Sequence, residues 1–203
     1  MDIKNRIVNI TLKSIGAGMC IALGLYAFLH LDAILGSFVF SVGLLSVFTL
    51  SFYLYTGLVP YASIKSIPML IHVVAGNAIG CLIMLLLPQL NSAGLIAASK
   101  LSEPLLAVFV EAVMCNILIY IAVEANKQHN TITVILAVAT FIICGFEHSI
   151  ANIALFAAAR MFSVDIFVHL LITIAGNAFG GILIRKVHCG LDENSKDRKR
   201  LVE

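Results

Sequence analysis

The run Gly-Phe-Glu-His-Ser-Ile-Ala-Asn at residues 145–152 sets a carboxylate, Glu147, beside an imidazole, His148, in an otherwise apolar stretch. An imidazole gains and loses a proton near neutral pH, which makes His148 a candidate proton relay. The pair could also suggest metal or acid–base catalysis. Neighbours on a helix project ~100° apart, however, and do not easily share one ion. No His-Glu-x-x-His pattern accompanies them, so no enzyme, metal site or cofactor is expected. A second polar intrusion is Tyr-Leu-Tyr-Thr-Gly-Leu-Val-Pro-Tyr at 53–61. The Thr56 hydroxyl has one proton to donate and two acceptor positions, enough to hold an imidazole or a carboxylate. Asn77 and Asn177 stand in a repeated string, Ala-Gly-Asn-Ala, at 75–78 and 175–178. A buried amide must find partners, and backbone exposed at a helix break supplies them.

Composition names the elements that must position these groups. The 203 residues are 61% hydrophobic and 12% charged, with a mean hydropathy of +1.04, as expected of an integral membrane protein. Six apolar stretches, near 10–31, 33–55, 68–87, 105–125, 132–161 and 166–184, each approach or exceed the ~20 residues that cross a ~30 Å hydrocarbon core. They make one transmembrane domain over 1–203, with a short charged tail at 185–203 and no room for a soluble domain. The basic and then apolar opening looks like a secretory signal, but Lys13 lies inside the run and the run is too long.

Two spans carry breakers. Thr56, Gly57 and Pro60 are expected to end the second, and Gly145, Glu147, His148, Ser149 and Asn152 to interrupt the fifth. The order ordinary span, broken span, Gly-Asn-x-x-Gly span occurs twice. Three spans per half turn the halves upside down relative to each other, an inverted repeat used by transporters and channels.

Charge sets the orientation. Lys4, Arg6, Lys13, Lys65, Lys127, Arg185, Lys186, Lys196, Arg198, Lys199 and Arg200 fall on one side, and only Lys100 and Arg160 on the other. Positive loops stay in the cytoplasm, so both termini are expected there. The net charge of +2 is therefore a topology signal, and the basic tail, interleaved with acids, is read as solvated rather than as a nucleic-acid site. The five cysteines have no Cys-x-x-Cys spacing and are read as packing residues.

The strings GFEHSIAN, FVFSVGLLSVFTLSFYLYTG at 38–57, EAVMCNILIYIAV at 111–123 and the two Gly-Asn-x-x-Gly segments resemble the formate/nitrite transporter family, in order across essentially all six spans. The resemblance implies an all-α, aquaporin-like fold of six transmembrane helices, with the second and fifth broken in an inverted 3+3 repeat. It also implies a homopentamer with one pore per protomer in a prokaryotic plasma (inner) membrane, carrying small inorganic or carboxylate anions such as formate, nitrite, hydrosulfide, acetate or lactate. His148 then matches the pore histidine, and Thr56 the loop threonine facing it, with Tyr55 alongside. Phe40 and Leu44 match a cytoplasmic constriction and Phe141 an aromatic lining a slit. Glu147 and Asn152 are expected to brace the broken helix, as are Asn77, Asn177 and Glu111, the last by capping backbone N–H groups. Tyr120 departs from the family pattern, standing where an asparagine near the histidine is expected, and is a candidate pore contact. Lys100 is a loose match for a lysine that attracts anions.

The chemistry can be argued from the residues alone. A bare anion in an apolar constriction meets an idealised Born cost of ~20 kcal/mol, and protonation removes most of it. A weak acid in such a place is easier to protonate, and a histidine at the centre can supply the proton. The alternative is an aquaporin-like channel for a small neutral solute, which needs no titratable centre. His169, at the start of span six, is read as interfacial.

Overall fold

The computed structural model describes residues 3–193, and these form helices without strands. In chain order they are α1 (Ile3–Leu29), α2 (Ala33–Thr49), α3 (Tyr55–Leu58), α4 (Ile67–Cys81), α5 (Asn91–Leu101), α6 (Leu105–Lys127), α7 (Thr131–Ile143), α8 (Ser149–Ala158) and α9 (Val164–Glu193). Tight 3-10 turns follow α3 at Val59–Tyr61, precede α4 at Ile64–Ser66 and extend it through Leu82–Leu86. The stretches Asn5–Leu29, Ile64–Leu86, Leu105–Lys127 and Val164–Gly190 are each long and apolar enough to cross a membrane. Between them, α2 with α3 and α7 with α8 form two interrupted segments. The tail residues Lys196, Arg198, Lys199 and Arg200 of the charge census lie outside the described residues.

Both interruptions close in the same way. Ser51 takes a left-handed φ of 51°, and the Phe52 N–H returns to the Val47 carbonyl at 2.9 Å. Gly145 takes φ 72°, and the Phe146 N–H returns to the Phe141 carbonyl at 3.0 Å. A single left-handed residue with this long return bond is the geometry that ends helices. The chain then runs extended through Leu54 and His148, which serve as the N-cap residues of α3 and α8.

The expected cause of the first break is thereby corrected. It falls at Leu50–Leu54, before Thr56, while Thr56 and Gly57 lie inside α3. Pro60 sits in the first turn of the following 3-10 segment, where its missing N–H costs no hydrogen bond. The interval 88–104, between the third and fourth apolar stretches, holds α5, which buries Ala93 and Ala97 one turn apart and carries Lys100 in its last turn.

The Gly-Asn-x-x-Gly segments bring long helices together, α4 onto α1 and α9 onto α6. A Cβ on Gly80 would lie 2.1 Å from the Ile15 carbonyl oxygen, and one on Gly180 would lie 2.2 Å from that of Val113. Only glycine permits these crossings, the close approach that small residues give membrane helices. Large apolar side chains such as Leu86, Leu95, Leu106 and Val164 point outward, as a lipid-facing surface requires.

Candidate functional site: the paired helix breaks

The two repeated asparagines hold the two breaks by one pattern. Asn77, on α4, donates through Nδ2 to the carbonyls of Ser14 and Tyr53, and its Oδ1 accepts from the Tyr55 N–H at 3.0 Å. Asn177, on α9, donates to the carbonyls of Ala112 and Glu147 and accepts from the Ser149 N–H at 2.9 Å. Each amide is fully buried and uses both its donors and its acceptor on backbone groups, one carbonyl on a neighbouring long helix and a carbonyl and an N–H that the helix interruption had freed. Tyr53 and Glu147 are thus counterparts, as are Tyr55 and Ser149.

The held breaks bring α3 and the start of α8 face to face. Thr56 Oγ1 lies 3.0 Å from His148 Nε2, and both residues are buried. The other ring nitrogen, Nδ1, accepts the Ala151 N–H at 3.1 Å, so His148 is itself the side-chain cap of α8. A backbone N–H can only donate, which leaves Nδ1 unprotonated and puts the ring proton on Nε2, pointing at the Thr56 oxygen. The neutral imidazole therefore offers its donor toward the facing half of the molecule.

An aromatic wall flanks this pair. Phe141 stacks on the imidazole, with ring centroids 5.6 Å apart and planes 18° apart, and Phe40 meets Phe141 edge-on at 6.0 Å. Phe40, Leu44 and Phe141 are each 1% exposed. On one side of His148 a small cavity of about 90 Å³ is bordered by Phe141, Lys100, Asn152 and Leu155.

Behind the histidine lies a charged cluster. Glu147 is fully buried; its Oε1 meets the Lys100 ammonium at 2.6 Å, and its Oε2 accepts from Asn152 Nδ2 and from His169 Nε2, the latter at 3.0 Å. Lys100 also donates to the Gly145 carbonyl at 2.9 Å. His169 is 2% exposed and packs edge-on against Phe156, so the reading of His169 as interfacial is corrected. Carboxylate oxygens of Glu103, Glu111 and Glu147 lie within 4.8 Å of one another. Glu111 accordingly faces other carboxylates rather than capping backbone N–H groups. Three carboxylates could hold a hard cation, but at Glu147 the Lys100 ammonium already fills that role.

Residues 2–189 match the family model described as the formate/nitrite transporter. The chain belongs to the formate/nitrite transporter family. Solved structures share its fold, two of them channels. One, an "FNT family ion channel", superposes with a TM-score of 0.84 at 21% identity, covering 93% of this chain and 92% of that one. The other, a "pentameric formate channel with formate bound", gives 0.78 at 23% identity, covering 94% and 97%. Among curated proteins, none matches.

Other residues singled out in this formate/nitrite transporter family member sit differently from expectation. The Tyr120 hydroxyl bonds to His188 Nδ1 at 2.7 Å and its ring lies 6.0 Å from that of Tyr61, so its partners are on α9 and in the turn after α3 rather than at His148. The Tyr55 hydroxyl reaches the Ile174 carbonyl at 3.0 Å and ties α3 to α9. Lys100 borders the cavity beside His148, but its charge is paired with Glu147. Asn116, one turn before Tyr120, escaped notice in the sequence. It is fully buried, and neither its Oδ1 nor its Nδ2 has a protein hydrogen-bond partner. A polar residue inside the apolar run 112–123 was the available signal.

Proposed function

We propose that this membrane protein conducts small monovalent anions of weak acids, the class of formate, nitrite, hydrosulfide, acetate and lactate, linked to a proton through His148. The six spans form an inverted 3+3, aquaporin-like repeat with both termini in the cytoplasm, and five copies assemble in a prokaryotic plasma membrane with one pore in each. Family membership supports the solute class, and the buried contact of His148 Nε2 with Thr56 Oγ1 carries the assignment of the site.

The geometry supplies the parts. Phe40, Leu44 and Phe141 make an apolar constriction that a bare anion crosses only against a large desolvation cost. At its centre the Nε2–H donor turns from Thr56 to an arriving oxyanion, while the Thr56 hydroxyl donates to a second oxygen. For His148 to act as an acid it must first take a second proton at Nδ1, which gives up the Ala151 N–H bond that caps α8. The Nε2 proton then passes to the anion, and the neutral acid crosses the apolar wall. An anion at Nε2 favours the charged ring, so occupancy and protonation are linked. Asn116, with an unspent donor and acceptor, offers a further polar foothold. Lys100, paired with Glu147, acts as a local brace more than as a distant attractor.

Uptake by proteoliposomes tests this reading against a neutral-solute channel. Formate, nitrite, hydrosulfide, lactate, glycerol and urea are presented at pH 5.5 and pH 7.5, values that bracket the ~6.5 of an ordinary imidazole. The expected result is anion uptake that rises on the acid side, with no passage of glycerol or urea. Uptake of glycerol or urea unaffected by pH, without anion uptake, would establish the neutral channel instead.

A further inference from the structure

The two breaks share their asparagine, their left-handed helix end and their extended cap residue, but only in the second does the cap residue, His148, bond its side chain into the helix that it opens. Asn77 on α4 suffices for the first: eight residues before it stands Met69, 37% exposed, and the counterpart of Glu147 is Tyr53, an uncharged side chain with Lys13 over its ring at 5.2 Å. The second break carries, in addition, a buried carboxylate clamped on both oxygens. Eight residues before Asn177, two turns back on α9, stands His169. Helix α9 thus grips Glu147 twice, with Asn177 on its carbonyl and His169 on its carboxylate. Thr173 lies midway, buried, with its hydroxyl bonded to the His169 carbonyl at 2.9 Å.

Burying an ion pair in a wall costs desolvation that packing alone would not require. Because the first half makes the same break without one, the clamp is not needed to interrupt a helix. What distinguishes the second half is His148. Glu147 precedes it in the chain, and Asn152, bonded to the same carboxylate oxygen as His169, donates its own N–H to the His148 carbonyl at 2.8 Å. The clamp therefore pins both sides of the first turn of α8, the turn whose Ala151 N–H fixes the His148 ring. In the clamp His169 Nε2 faces a carboxylate and so carries a proton, whatever the state of its other nitrogen.

We propose that His169 is a positioning residue for conduction, acting through Glu147 to hold the first turn of α8 and thereby the orientation of the His148 ring. This rests on the anion-pore reading, and the role lies in a second histidine that never touches the permeant ion. Removing its donor leaves Glu147 Oε2 with Asn152 alone, loosens the turn and lets the His148 ring leave the tautomer in which Nε2 points at Thr56.

The test replaces His169 by Gln, whose amide nitrogen reaches the same place, and by Leu, which cannot donate, in the parent and in a Glu147→Gln background. Formate uptake by proteoliposomes is read as maximal rate and half-saturating concentration, and ring nitrogen shifts of His148 are read by solid-state NMR. His169→Gln is expected to stay within about 2-fold of the parent, and His169→Leu to lower the maximal rate about 10-fold with half-saturation little changed, the mark of misplaced geometry rather than weakened binding. The His148 spectrum should show one Nε2–H tautomer in the parent and in His169→Gln, and a mixture in His169→Leu. In the Glu147→Gln background the Leu substitution should cause no further loss. If His169→Leu does not assemble, His169→Asn, whose shorter amide falls short of Glu147, takes its place with the same expectation. Unaltered rate and spectrum, equal losses for Gln and Leu, or full additivity with Glu147→Gln would overturn the proposal. A parent that carries no anion would defeat the pore reading alone, since the tautomer spectra still decide the role of His169.

Discussion

His148 uses its two nitrogens for different ends, Nδ1 to cap α8 and Nε2 to face Thr56. Thr56→Val keeps the shape and removes the hydroxyl, leaving a buried ring N–H unpaired. A stability loss of about 1–3 kcal/mol is expected in detergent melting, together with at least a tenfold fall in formate uptake. Thr56→Ser, retaining the oxygen, should recover most of the uptake; equal behaviour of Val and Ser would deny the hydroxyl a role. His148 was legible as a candidate because an ionisable residue in an apolar run calls for explanation. Its tautomer was not, since that depends on which backbone N–H the fold presents to Nδ1. His169 was misplaced for a related reason: near the start of a span it has the look of an interfacial residue, and only the turn of α9 toward Glu147 buries it.

At the level of elements, the breaks depend on left-handed residues. Gly145 has open space where a Cβ would go, so Gly145→Ala tests backbone strain without a steric clash. It should destabilise by about 1 kcal/mol, while Ser51→Gly at the equivalent position should stabilise by a similar amount. Opposite shifts in melting temperature are the check, and a neutral Gly145→Ala would remove the proposed reason for the α7 end. Asn177→Leu strands the Glu147 carbonyl and the Ser149 N–H, each at about 1–3 kcal/mol, so no monodisperse protein is expected on gel filtration. The repeat in the sequence foretold both asparagines, and the polar residues of the fifth span foretold the break at His148. It did not reveal that the first break sits at Ser51, because serine carries no signal for positive φ, and the turn signals at Gly57 and Pro60 were the stronger ones. Helix α5 was hidden because its buried face consists of alanines.

For the whole molecule, composition alone identified a membrane protein, and the family match agrees. Between α4 and α9 an apolar groove of about 660 Å³, bordered by Leu70, Val74, Leu171 and Ile174, faces outward, a surface suited to lipid or a neighbouring copy. Native mass spectrometry should release five copies of the 21.9 kDa chain, and a monomer at all detergent levels would contradict the pentamer. Orientation was inferred from Lys and Arg placement, and labelling of Cys189, exposed in the last turns of α9, should occur only from the cytoplasmic side of sealed vesicles. The central claim is that His148 links anion passage to a proton, and formate uptake across an imposed pH step in proteoliposomes of parent, His148→Asn and His148→Ala tests it most directly. Parent uptake should rise several-fold as the external pH falls through the histidine range, and both variants should lose that rise. Variants that carry formate at the parent rate with the same pH dependence would contradict it.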